Sequence, residues 1–192
     1  MKLLEDKIKE YGELRPGGIL KVDNFLNHQI DVALLQEIGK EFARLFDGVK
    51  VDKILTIEAS GIGIACVASQ YFGNVPVVFA KKSEAKNLDP DVYSTTIHSF
   101  TKDRDYVVRV SQKYIRTGEN ILIIDDFLAN GEAALGLIRL VNQAGADVAG
   151  IGICIEKAFQ KGGETLRGLG VKLESLAIVD VKDDGTINFI RK

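Results

Sequence analysis

Along residues 31 to 46, "DVALLQEIGKEFARLF", the apolar side chains Val32, Leu35, Ile38, Phe42, Leu45 and Phe46 recur at helical spacing behind Asp31, a suitable N-cap. This is the pattern of an amphipathic helix. A short β-branched run, "DKILTIEAS", follows it. "GIGIACVASQYF" then reads as a small-residue helix and "NVPVVFAKK" as a strand. The same order returns downstream: the strand "NILIIDD", a helix in "GEAALGLIRLVNQAG" stopped by Gly145, and the strand "ADVAGIGICIEK". Apolar strands separated by helices predict a parallel sheet covered on both faces. A last pair, "LESLAIVDV" and "TINFIRK", is joined through "KDDG", where Asp184-Gly185 suits a hairpin turn.

Between Lys81 and Asp105 the pattern stops. The stretch is charged, aperiodic and interrupted by Pro90. So long a connection inside a compact domain reads as a mobile lid over about residues 82–104, or as a solvated hairpin insertion. The 192 residues, 46% hydrophobic, suffice for one good core and one domain spanning 1–192.

Charge narrows the partners. With 25 basic and 27 acidic residues, the chain has no global positive field to hold nucleic acid, so small molecules are the expected ligands. The N-terminal "MKLLEDKIKE" lacks the apolar stretch of a signal peptide, and no run reaches the length of a membrane helix; a cytoplasmic location is expected, with no membrane partner. Cys66 and Cys154 lie in apolar runs and are expected to fill core. His28 and His98 are isolated, so no metal-ligand spacing is completed.

In a parallel sheet, ligands collect beyond the carboxyl ends of the strands. Three such ends carry chemistry here: Glu58-Ala59-Ser60-Gly61, Asp125-Asp126 and Glu156-Lys157. Two adjacent carboxylates at a strand end call for hydroxyl or cationic partners. The segment after them, "FLANGEAA", is rich in small residues and places Gly131 where a helix begins, so backbone N–H groups can approach an anion closely. Hydroxyl binders beside an anion cradle describe a sugar phosphate site. Competing motifs fail. In "GIGIACVA" the third glycine of a dinucleotide fingerprint falls on Cys66, and neither a nucleoside triphosphate loop nor a G-x-S-x-G elbow occurs.

The segment "ILIIDDFLANGEA" resembles the phosphoribosyl-pyrophosphate (PRPP) signature of the type I phosphoribosyltransferases. "LKVDNFLNHQID", "TIEASGIG", "PVVFAKK", "SFT", "AGADVAGIGICIEK" and "LESLA" extend the resemblance, to the xanthine-specific branch, over nearly the whole chain. It implies an α/β fold with a central, mostly parallel sheet flanked by helices, and a small hood from about residues 15–30 plus the C-terminal strands. It also implies transfer of phosphoribose from PRPP to xanthine in purine salvage, Mg²⁺ bound mainly through PRPP and pyrophosphate, and a homodimer.

By the same resemblance Asp125 and Asp126 are the catalytic carboxylates on the ribose, while Ala129, Asn130, Gly131, Glu132 and Ala133 cradle the 5′-phosphate. Ala59, Ser60 and Gly61, in a turn expected to hold a cis or strained peptide, take pyrophosphate together with Lys81 or Lys82. Leu20, Asn27 and Lys157 take xanthine. Most members of the family have threonines where Asn130 and Ala133 stand, so backbone N–H groups carry more of the phosphate binding, and Glu132 is expected to face solvent. The alternatives are a preference for guanine or hypoxanthine, and a PRPP-binding regulator without catalysis. Against the regulator, only about 30 residues precede the first core helix, short for a DNA-binding module.

Overall fold

The computed structural model describes residues 1–83, 91–99, 104–182 and 185–191. The chain opens with helix α1 (Lys2–Tyr11), a hairpin of β1 (Glu13–Arg15) and β2 (Ile19–Lys21), and a π-helical turn over Asp23–Asn27. The hydrophobic pattern did not single out α1, because only Leu4 and Ile8 of its apolar side chains reach the core. Helix α2 (Val32–Leu45) begins where expected: Asp31 Oδ1 accepts a hydrogen bond from the Leu34 amide at 3.1 Å, satisfying one of the orphan donors of the first turn. Its buried stripe runs through Leu34, Leu35, Ile38 and Phe42. Val32, expected on that stripe, is 56% exposed, and Leu34 is buried in its stead.

Strand β3 (Lys53–Ile57), helix α3 (Ser60–Ser69) and strand β4 (Val77–Ser83) form the first crossover unit. Strand β5 (Val92–Ser99) and strand β6 (Arg104–Ser111) follow. Strand β7 (Asn120–Leu128), helix α4 (Glu132–Gln143), strand β8 (Asp147–Lys157), helix α5 (Gly162–Gly168) and strand β9 (Leu173–Val181) continue the alternation, and β10 (Ile187–Ile190) ends it. The main sheet runs β10-β9-β8-β7-β3-β4-β6-β5. Strands β9, β8, β7, β3 and β4 are mutually parallel; β10 pairs antiparallel with β9, and β6 antiparallel with both neighbours.

Alternation along the strands supplies both faces. Ile54, Leu122 and Ile124 pack with Leu35, Ile38, Phe42 and Ile64, whereas Leu55, Ile121 and Ile123 pack with Leu137, Leu140 and Leu166. A strand buried on both faces reads as a continuous apolar run, which is why "ILII" stood out.

Two expectations are corrected. The C-terminal strands, assigned to a hood, extend the main sheet, and a Cβ on Gly185 would lie 3.7 Å from Leu14 of β1. Much of the aperiodic 82–104 stretch is also sheet. Ile97 of β5 is buried under Gly136 of α4, and Gln143 bonds the Ser94 amide (3.1 Å) and carbonyl (2.9 Å). Of the expected lid, residues 84–90 and 100–103 lie outside the described residues. Cys154 is core, as expected, but Cys66 is exposed on α3. Among the described residues no helix is long and apolar enough to cross a membrane.

Candidate active site

Three strand ends meet at one edge of the sheet. At the end of β7, Asp125 and Asp126 are 5% and 8% exposed. The chain is turning there, and each carboxylate turns back on the backbone: Asp125 Oδ1 accepts from the Asp126 amide and Asp126 Oδ1 from the Phe127 amide, both at 2.9 Å. Burial, and next the charge of Asp126, hold the Asp125 carboxyl well above the usual aspartate range; the Asp126 amide and Lys82 oppose this. The pair therefore awaits a positive or hydroxylated partner.

The turn after β3 is packed against this pair. The Glu58–Ala59 peptide is cis, as the resemblance implied for this turn. A Cβ on Gly61 would lie 1.9 Å from the Thr56 hydroxyl and 3.2 Å from Asp125 Oδ1, so only glycine lets the start of α3 come this close. The Thr56 hydroxyl is buried with no hydrogen-bond partner among the described residues. Glu58 accepts a bond from the Lys82 amide, tying the end of β4 to the same turn. Adjacent strand residues face opposite ways. Lys82 is the lysine whose charge acts on Asp125, whereas Lys81 lines a separate cavity of about 810 Å³ with Phe79, Arg109 and Tyr114.

The loop Ala129–Gly131 leads into α4, whose first-turn N–H groups lack intrahelical acceptors. Gly131 has φ of 91°, and a Cβ on it would sit 3.1 Å from Gly162 Cα. Asn130, Glu132 and Ala133 are partly exposed around this end; Glu132, expected to face solvent, is only partly open to it. From the other side of the chain, Asn27 Nδ2 donates to Asp126 Oδ2 at 2.9 Å. Because a carboxylate only accepts, this contact fixes which way the Asn27 amide points. Lys157, at the end of β8, is half-buried with its ammonium 5.6 Å from the centre of the Phe127 ring, and burial lowers its pKa. Leu20, on β2 of the hairpin, is buried in the core. Among the described residues no three His, Cys, Asp or Glu side chains are gathered to hold a metal.

Sequence reasoning missed Thr56, Gly162, Gly163 and Arg167. The "GG" ahead of α5 was the available signal, since paired glycines mark close backbone approach.

Residues 21–167 match the phosphoribosyl transferase domain family. The chain is 64% identical over 189 residues to a xanthine phosphoribosyltransferase of Clostridioides difficile (strain 630), covering 98% of this chain and 100% of that protein. It is 61% identical to xanthine phosphoribosyltransferase 2 of Clostridium botulinum (strain Hall), with the same coverage. Adenine phosphoribosyltransferase structures share the fold. The one from Thermoanaerobacter pseudethanolicus superimposes with a TM-score of 0.72 at 23% identity, over 91% of this chain and 98% of that one. The one from Trypanosoma brucei gives 0.76 at 17%, over 98% and 85%. The matched span runs from the hairpin before Asn27 to the end of α5 and takes in all three strand ends of the site: this chain belongs to the phosphoribosyltransferase family.

Proposed function

We propose that this chain transfers the 5-phosphoribosyl group of PRPP to xanthine, releasing pyrophosphate and forming xanthosine 5′-monophosphate. The observation that carries the reading is the Asn27–Asp126 hydrogen bond, which joins residues 99 positions apart and brings the N-terminal segment onto a carboxylate of the sugar site. The names of the curated relatives point to the same base.

The base nitrogen attacks the anomeric carbon as pyrophosphate leaves, and positive charge develops on the ribose ring. Asp125 and Asp126 hold the ribose hydroxyls, and their charge favours that cation more than the neutral ground state. Backbone N–H groups of Ala129–Ala133 hold the 5′-phosphate, those of Ala59–Gly61 the pyrophosphate, and Lys82 adds positive charge there. Mg²⁺ bound with PRPP would supply neutralisation of the charge on the leaving pyrophosphate. The chain fits this role: magnesium keeps several waters and needs few protein ligands, and among the described residues no three His, Cys, Asp or Glu side chains are gathered to replace those waters. Lys157 donates to the 6-oxygen of the base. The second N–H of Asn27 donates to the 2-oxygen, and Leu20 supports the base from beneath. The working form is a cytoplasmic homodimer.

The test is a base panel: xanthine, guanine, hypoxanthine and adenine, each with PRPP and Mg²⁺, with nucleotide formation followed. Xanthine should have the highest kcat/KM. A higher value for guanine or hypoxanthine refutes the base assignment, and PRPP binding without turnover of any base makes the chain a regulator.

A further inference from the structure

We infer that the Glu156–Arg167 ion pair positions the phosphate loop, acting through the backbone of Gly162 and Gly163. The inference rests on the proposed reading of Ala129–Ala133 as the 5′-phosphate site.

Glu156, next to Lys157 on β8, is 4% exposed, yet no step of the proposed reaction uses it. The guanidinium of Arg167 on α5 grips it in fork geometry, Nη1 to Oε1 at 2.8 Å and Nη2 to Oε2 at 2.6 Å, and the Ser175 hydroxyl of β9 donates to Oε2. An ion pair whose arginine side chain is 36% exposed contributes little net stability, so its consequence here is geometric.

What lies on the pair is two glycines. A Cβ on Gly163 would fall 2.0 Å from Glu156 Oε1 and 2.5 Å from Arg167 Nη1, so the Gly163 backbone rests directly on the fork. On the other side, the Gly162 amide donates to the Ala129 carbonyl at 3.0 Å, and a Cβ on Gly162 would lie 2.4 Å from that oxygen and 2.7 Å from the Gly131 nitrogen. The glycine pair is thus wedged between a rigid fork and the loop, with no side chain to absorb displacement. Arg167 is a positioning residue: it fixes the height of α5, and α5 fixes where the Ala129–Gly131 backbone presents its N–H groups.

Arg167→Lys keeps the charge and loses the fork. It should raise the KM for PRPP about tenfold, as expected for a misplacement of under an ångström, while kcat and the KM for xanthine stay within about twofold. Titration with ribose 5-phosphate should show the same loss of affinity. Ser175→Ala, which removes one donor and leaves the fork, should move the same quantities the same way by about threefold, and decides the matter if Arg167→Lys does not fold. Gly131→Ala tests the loop itself and should raise the KM for PRPP. If it does, and Arg167→Lys or Ser175→Ala leaves PRPP and ribose 5-phosphate binding unchanged, or shifts both substrates equally, the positioning role is overturned. If Gly131→Ala has no effect, the phosphate-loop reading is wrong and the inference falls with it.

Discussion

Gly61→Ala separates the geometry of the site from the stability of the fold. The added methyl would stand 1.9 Å from the Thr56 hydroxyl, and the contact must open by at least about 1.1 Å before it reaches the 3.0 Å below which such approaches essentially never occur. Thr56 cannot step aside: it is fully buried on β3 and paired in register with Phe79 of β4. The start of α3 has to move instead, carrying the Ala59–Gly61 amides away from Asp125. Overpacking of this kind costs about 1–3 kcal/mol. Alanine in a helix regains up to about 1 kcal/mol over glycine. A net loss of about 1–2 kcal/mol lowers Tm by roughly 2–8 °C in a chain of this size. Activity should fall far more, because an ångström of misplacement at a reacting site costs about a hundredfold. The assay is kcat/KM for PRPP beside a thermal melt. Adding Thr56→Ala removes the hydroxyl and leaves the nearest Thr56 contact at 3.2 Å, so the double variant should recover most of both losses. A Gly61→Ala protein with kcat/KM within twofold of the parent and an unchanged Tm would refute the reasoning.

Asp125→Asn should abolish most turnover yet raise the melting temperature at neutral pH. A carboxyl whose pKa is higher folded than unfolded contributes stability that is fully present below the ordinary aspartate range and lost as pH rises through the native value, and asparagine removes that loss while its oxygen still accepts from the Asp126 amide. Melts from acid to neutral pH should show the gain growing with pH; a gain confined to acid would contradict it. Lys82→Ala should reduce kcat/KM for PRPP well beyond Lys81→Ala, since the Lys82 charge acts on Asp125 while Lys81 lines a separate cavity; equal effects in parallel kinetics would overturn that assignment. Asn27→Ala should narrow the xanthine-to-hypoxanthine preference by about 1–3 kcal/mol, roughly 5- to 150-fold, because hypoxanthine leaves the 2-position donor unpaired. Lys157→Ala should lower kcat/KM for both bases together, and an unaltered preference in Asn27→Ala would place the reading of position 2 elsewhere.

Local pattern carried the sheet. Runs such as "ILII" and "GIGICI" are apolar because strands in a covered parallel sheet are buried twice, and helices α2 and α4 announced themselves through Asp31 and the glycines at 131 and 145. The acidic pair and the small-residue loop were legible for the same reason: their chemistry is contiguous in sequence. Strand β5 was not, because Ile97, the fully buried side chain among its described residues, is held by Gly136 of a helix that comes later in the chain. Nor could the residues alone choose between Lys81 and Lys82, since facing depends on register with β6. Asn27 on Asp126, Gly61 on Thr56, and Arg167 on Glu156 are pairings across sequence separations that no local period encodes. They exist because strand order brings distant segments to one edge of the sheet, and it is there that backbone approach, burial and charge are decided together.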